Sequence, residues 1–175
     1  MNLIKENIKL RAIEQDDREL LKELINDPEV EKMVVGWSFP VSTEQQINWI
    51  SNQANDKKNV RFIIDINNVG AVGIVSLSGL DFKNSTAIIN IKLKKEDKLR
   101  KQGIGYRAIN MLIDYAFNQL NMNCLIANIL HYNTPSQRLF EKSGFVLDGK
   151  LRSRVYKNGS YQDLLTYSLL RSDSK

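Results

Sequence analysis

The sequence predicts an α/β protein of the α+β kind: a mixed, mostly antiparallel sheet of six to seven strands with helices on both faces. Three observations point there. Two Asn- and Gly-bearing turns, Asn67-Asn68-Val69-Gly70 and Lys157-Asn158-Gly159-Ser160, separate strand-like runs, and their residues tolerate the positive φ that tight hairpins demand. A segment starting at Ile104 repeats apolar residues at the helical period. That helix lies between two strand-like runs, the arrangement that joins parallel neighbours.

Taken in chain order, Ile8 to Ile13 alternates as a short strand, and Glu14-Gln15-Asp16-Asp17 opens a helix striped by Leu20, Leu21, Leu24 and Ile25. Asp27-Pro28 stops it. After Phe39-Pro40, Ser42 and Gln45 stand at capping-box spacing ahead of a second helix, with Ile47, Trp49 and Ile50 available to pack. Val60 to Ile66 and Ala71 to Leu77 form a hairpin, and Thr86 to Leu93 follows the polar turn Asp81-Phe82-Lys83-Asn84-Ser85. The third helix shows Ile104, Ala108, Met111, Leu112, Tyr115, Ala116 and Leu120 on one face. Leu125 to Leu130 reads as a buried strand. Thr134-Pro135-Ser136-Gln137 then reads as an N-cap, a first-turn proline and a capping-box glutamine, and Gly144 as a left-handed end to that helix. Val146 to Tyr156 and Tyr161 to Leu170 make the closing hairpin.

The 175 residues suit one domain, 1–175, since neither a repeat nor a Pro/Gly-rich linker divides them. Twenty-five Lys and Arg against 20 Asp and Glu leave +5, a mild excess without the clustered stripe of a dedicated nucleic-acid binder, so no nucleic-acid partner is expected. The single cysteine, Cys124, sits in an apolar run and reads as a core residue; it forbids a disulfide within the chain. Residues 1–7 lack a signal-peptide core, and no run approaches the roughly 20 apolar residues of a membrane span. A cytoplasmic protein with no membrane partner is the expectation.

The run Arg100-Lys101-Gln102-Gly103-Ile104-Gly105-Tyr106 carries the chemistry. Two glycines one residue apart at a strand-to-helix junction let backbone amides face a ligand, and the helix start adds a positive dipole end. An anion is expected there. A dinucleotide fingerprint would want a third glycine where Ala108 stands; alanine can substitute, but the acidic residue that should follow is missing and antiparallel strands precede the loop. A P-loop would end in Gly-Lys-Ser/Thr, which is absent.

Arg100-Lys101-Gln102-Gly103-Ile104-Gly105 resembles the acetyl-CoA loop, Gln/Arg-x-x-Gly-x-Gly/Ala, of the Gcn5-related N-acetyltransferases. The resemblance runs through most of the chain: Asn133-x-x-Ser136 and Glu141-Lys142-Ser143-Gly144-Phe145 follow as the family pattern asks. Leu10-Arg11, Asp27-Pro28-Glu29-Val30 and Gly149-x-Leu151-Arg152 with Asp163 resemble the subgroup of ribosomal-protein alanine and spermidine acetyltransferases. Phe39-Pro40 leading to Trp49, and Asn158-Gly159-x-Tyr161-Gln162-Asp163, lean toward the spermidine side.

The resemblance implies acetyl-CoA as cosubstrate, no metal, and a parallel strand pair splayed to admit the pantetheine arm. Amides from Gln102, Gly103, Ile104, Gly105 and Tyr106 would cradle the pyrophosphate, with Arg100 and Lys101 neutralising it. Lys92 and Leu93 occupy the strand end that pairs with pantetheine, Asn133 and Ser136 the thiol end, and Arg138 is a candidate for the nucleotide phosphates. The plainer reading of Asn133 and Ser136 is a helix cap.

Two family features are missing. The tyrosine that acts as acid in many members is Phe140 here, so the subgroup's serine, Ser136, becomes the candidate acid and Tyr132 the fallback hydroxyl. The usual strand glutamate is also absent: Thr86 to Ile91 has Ile88 and offers only Asn90, leaving relayed water, His131, Glu29 or Glu31 as routes for the amine proton. A lone histidine is more commonly packed or at the surface. The implied function is transfer of acetyl from acetyl-CoA to a primary amine, whether polyamine-like, another small-molecule amine or a protein N-terminus. The alternative is a non-catalytic acyl-CoA sensor or partner-binding module. Asp27, Glu29, Glu31 and Glu44 form either a cation-attracting acceptor rim or ordinary solvated helix faces. A homodimer through the last two strands is a further implication.

Overall fold

The computed structural model describes residues 2–36, 39–95 and 102–174. Its framework is one eight-stranded sheet of order β1-β2-β3-β4-β5-β6-β8-β7, formed by β1 (Leu3–Lys5), β2 (Ile8–Arg11), β3 (Val60–Ile66), β4 (Gly70–Asp81), β5 (Thr86–Leu93), β6 (Cys124–Leu130), β7 (Val146–Lys157) and β8 (Ser160–Leu170). The count exceeds the expected six to seven because β1 pairs with β2 across Glu6-Asn7. Three residues are too few to show a period, and Ile4 is 70% exposed on this sheet edge, so hydropathy gives no cue. The Ile8 strand also stops at Arg11 rather than Ile13.

Strand pairs are antiparallel except β5 with β6, which run parallel as the intervening helix α4 (Ile104–Asn118) requires. That pairing covers only Thr86–Ile88 with Cys124–Ile126. Beyond it the strands diverge. Each is held from outside: β6 stays in register with β8 from Cys124↔Leu170 to Leu130↔Leu164, and β5 with β4 up to Gly73↔Leu93.

The run Phe62-Ile63-Ile64 is buried throughout because successive side chains enter opposite layers. Phe62 and Ile64 meet α4 through Ala108, Leu112 and Ala116, together with Phe140 of α5 (Thr134–Lys142). Ile63 faces the other layer, where α1 (Arg18–Asn26), α2 (Pro28–Glu31) and α3 (Thr43–Ser51) contribute Leu20, Leu21, Leu24, Val30 and Ile50. A 3-10 turn at Gln15–Asp17 precedes α1, and Arg11 anchors it: the guanidinium grips both oxygens of buried Asp17 at 2.8 Å and Asp65 at 2.7 Å. These charge-assisted bonds hold α1 against the sheet.

Asp27 ends α1 and also starts α2, its carboxylate accepting from the amides of Glu29 at 2.7 Å and Val30 at 3.3 Å. The Ser42–Gln45 capping box of α3 forms as expected. Of its three apolar residues only Ile50 is buried, while Ile47 and Trp49 stay 37% exposed. The cap of α5 is Asn133 instead of Thr134: Asn133 Oδ1 accepts from the Ser136 amide at 3.2 Å, and Gln137 donates back to the His131 carbonyl at 2.8 Å. Gly144 closes α5 at φ +92°, and Asn158 and Gly159 turn the last hairpin at φ 50° and 80°. Cys124 is half-buried, and desolvation pushes its thiol above the ordinary range. Among the described residues no helix is long and apolar enough to cross a membrane.

Gly73 answers a close approach. A β-bulge at Val72 brings β4 against the end of β5, and a Cβ on Gly73 would lie 2.3 Å from the Lys92 carbonyl oxygen. A main-chain oxygen cannot swing away. Gly73→Ala is therefore expected to lower stability by about 3 kcal/mol, the upper part of the usual overpacking range. A urea titration should show a lower midpoint at unchanged slope.

Candidate active site

Where β5 and β6 part, a cleft of about 490 Å³ opens. Its walls are Ile88 to Leu93 of β5 and Asn128 and Ile129 of β6, its roof is Met33 to Gly36, and Asn133, Ser136 and Phe140 close the far end. Among the described residues, the edge of β5 facing this gap has no strand partner after Ile88. An extended chain of alternating amides can bond there as an added strand would.

At one end lies the start of α4. Gly103 adopts φ 67°, ψ 17°, a left-handed conformation that costs a residue with a side chain, and the first helical bond runs from Arg107 to Gly103. The amides of Ile104, Gly105 and Tyr106 thus have no intrahelical acceptor. A Cβ on Gly105 would touch Leu93 at 3.4 Å and Leu139 at 3.6 Å, so the helix start packs on the end of β5. This unites Lys92 and Leu93 with the glycine loop. Arg107 braces the turn through Glu6 at 2.9 Å, Asn7 at 2.7 Å and the Gln102 carbonyl at 3.2 Å. The Lys142 ammonium lies 4.5 Å over the Tyr106 ring. Arg100 and Lys101 lie outside the described residues.

The other end is set by the β6–α5 turn. Asn133, besides capping α5, donates from Nδ2 to the Met33 carbonyl at 2.9 Å. Tyr132 donates its hydroxyl to the Lys32 carbonyl at 2.7 Å, and burial with the Glu31 charge pushes the phenol up. That proton is engaged, and Tyr132 is not among the described lining of the cleft. Ser136 does line it, and its hydroxyl makes no hydrogen bond among the described residues. Phe140 is buried edge-on to Phe145, hydrocarbon where a hydroxyl was sought. Arg138 is exposed on α5, and exposed His131 lies edge-on to Tyr132.

Three of the four rim acids are engaged, and Glu44 lies exposed in the first turn of α3. Glu29 meets Lys32 at 2.6 Å and Lys95 at 3.8 Å, which hold its carboxyl below the usual range. Glu31 pairs with Lys157, itself only 3% exposed, and Asp27 is spent on capping α2. No carboxylate lines the cleft among the described residues.

A second cleft, about 440 Å³, runs beneath α1 and α3. Leu21, Leu24 and Trp49 make it apolar, while Gln46 and Arg61 add polar groups. The two clefts share Ser76, Asn90, Ile91 and Lys92. A donor in the first and an acceptor in the second would meet there. Lys92 therefore turns a side chain into the junction, where burial and the nearby Lys157 lower its pKa. The chain pattern held a cue: Ser76 and Ser78 on β4, and Asn90 and Lys92 on β5, alternate with buried Leu77 and Ile89 and half-buried Ile91.

Residues 7–146 match the model of the family described as an acetyltransferase (GNAT) domain, and the chain belongs to that family. This makes it an acetyl-CoA-dependent N-acetyltransferase. It is 31% identical to the putative ribosomal N-acetyltransferase YdaF of Bacillus subtilis, over 97% of this chain and 94% of that one. It is 26% identical to the spermidine N(1)-acetyltransferase of Vibrio cholerae, over 93% and 92%. The crystal structure of the Vibrio cholerae spermidine N-acetyltransferase in complex with CoA and spermine superposes with a TM-score of 0.88 at 23% identity, over 97% of this chain and 98% of that one. A probable acetyltransferase superposes at 0.87 with 29% identity, over 99% and 98%.

Gly103→Ala should strain the loop that begins α4. A left-handed residue with a Cβ costs about 1–2 kcal/mol, so acetyl-CoA affinity is expected to fall about tenfold by calorimetry, with the far-UV spectrum unchanged.

Proposed function

We propose that this chain carries acetyl from acetyl-CoA directly to a primary amine, with the thioester in the β5–β6 opening and the amine beneath α1 and α3. The junction of the two clefts at Ser76, Asn90, Ile91 and Lys92 carries this reading. In it, residues 1–175 work as one acetyltransferase domain. The pyrophosphate rests on the amides of Gln102, Gly103, Ile104, Gly105 and Tyr106, with Arg100 and Lys101 alongside and Arg138 toward the nucleotide phosphates. The main chain of Lys92 and Leu93 pairs with pantetheine, and Asn133 and Ser136 flank the sulfur.

The neutral amine adds to the thioester carbonyl carbon, giving a tetrahedral oxyanion. Collapse breaks the C–S bond; the thiolate takes a proton from the Ser136 hydroxyl, and the amide nitrogen releases one to water, which restores the serine. Positioning supplies much of the acceleration because the thioester is already activated. With no carboxylate lining the clefts among the described residues, water is the route left for the amine proton. Tyr132, with its hydroxyl on the Lys32 carbonyl, acts by holding the roof. The acceptor is a small-molecule amine or a protein N-terminal amine; the spermidine and ribosomal relatives support both classes.

Free-thiol release from acetyl-CoA across an amine panel tests the reading. Turnover with at least one amine is expected, whereas tight CoA binding with none would favour an acyl-CoA sensor. Ser136→Ala should lower kcat about tenfold to a hundredfold at unchanged acetyl-CoA KM, and full turnover would remove its role as acid. Tyr132→Phe should keep kcat within about twofold and cost about 1 kcal/mol of stability, the worth of one hydrogen bond.

The homodimer rests on β7, twelve residues long at the sheet edge, where Val146, Leu147 and Tyr156 are exposed, with exposed Tyr161 of β8 beside Tyr156. Sedimentation should give twice the chain mass, and Leu147→Lys should shift it toward monomer.

A further inference from the structure

The cleft beneath α1 and α3 presents positive and hydrogen-bond-donating groups. Among its described lining residues there is no carboxylate. Two cations line it. Arg61 is already engaged: its guanidinium lies 5.3 Å over the Trp49 ring and donates to Asp56 at 2.7 Å and Gln53 at 2.8 Å. Lys92 makes no hydrogen bond or ion pair among the described residues, and its close charged neighbour is Lys157. Burial there leaves the ammonium poorly solvated.

Gln46 is the second observation. It is 4% exposed, lines the same cleft, and its carboxamide has no hydrogen-bond partner among the described residues. No side-chain nitrogen or oxygen that is itself shut off from solvent lacks a partner among the described residues, so the carboxamide opens to the water of the cleft and can exchange that water for a ligand. Leu21, Leu24, Ile25 and Ile91 make much of the wall hydrocarbon.

We infer that the acceptor is an amine that also bears a carboxylate and an apolar body, such as a hydrophobic amino acid or peptide, with Lys92 and Gln46 receiving the carboxylate. This rests on the acetyl-transfer reading above. A carboxylate accepts from the Lys92 ammonium and from Gln46 Nε2, satisfying both lone donors at once. A polycation would meet the Lys92 ammonium instead. No carboxylate lines the cleft among the described residues to offset it, and Glu29, Glu31 and Asp56 are paired with Lys32, Lys157 and Arg61. Lys92 and Gln46 are thus specificity residues, and the reacting amine reaches the thioester across the shared floor at Ser76 and Asn90.

The test compares phenylalanine, phenethylamine and spermidine as acceptors by thiol release, with kcat/KM referred to the neutral amine. Phenylalanine should exceed phenethylamine at least tenfold and also exceed spermidine. Lys92→Met and Gln46→Leu should each collapse the phenylalanine-to-phenethylamine ratio, and Lys92→Glu should invert the order in favour of spermidine. Equal or better turnover of phenethylamine or spermidine by the wild type, or a ratio insensitive to both substitutions, overturns the inference. Calorimetry of phenylalanine against the CoA-loaded protein separates the two readings. Lys92-dependent binding without turnover of any amine leaves the carboxylate site standing and removes acetyl transfer. Turnover of other amines with no phenylalanine binding does the reverse.

Discussion

The divergence of two parallel strands governs this molecule. β5 and β6 share three residue pairs and then separate, because each is bound more extensively to its outer neighbour than to the other. Among the described residues the gap leaves one edge of β5 without strand partners after Ile88, an expensive condition inside a sheet unless something else bonds there. The glycine loop packs on the end of the same strand, and the cap of α5 stands at the far end of the opening. Pyrophosphate cradle, pantetheine edge and thiol end are thereby ordered along one line by one topological event.

The roof of the opening is tied down from several sides. Tyr132 and Asn133 hold the carbonyls of Lys32 and Met33, and Lys157 reaches from the C-terminal hairpin to Glu31 and its carbonyl. A buried ion pair adds little net stability, yet removing one member strands a charge and is strongly unfavourable. Its effect here is positional: it locks α2 against β7 and removes a carboxylate from the acceptor side. The same pairing leaves Lys92 as the uncompensated charge at the junction, which links the scaffold's electrostatics to the choice of acceptor.

Much of this was legible before any coordinates. The helical period from Ile104, the Asn158-Gly159 turn and the Thr86 to Leu93 strand all stand where the pattern puts them, because each depends on local propensity and period. β1 was illegible for the opposite reason: three residues on an open edge bury too little to leave a pattern. The cap of α5 fell on Asn133, one residue before Thr134, since both side chains can cap and only the backbone entry angle from β6 decides between them.

Local residue pattern set the order of the elements other than β1 and α2, together with the glycine loop and hence the donor, because a cradle for pyrophosphate is built from consecutive residues. What the acceptor meets was decided by tertiary structure alone. Gln46 sits on a helix where a glutamine ordinarily faces water, and Lys92 on a strand where only parity is readable. Burial of the first under α1 and isolation of the second beside Lys157 come from contacts between segments far apart in the chain. Charge pairing is likewise a property of the assembled fold: Glu29 and Glu31 read as an acidic rim in sequence, and folding turned them into the counter-charges of Lys32, Lys95 and Lys157.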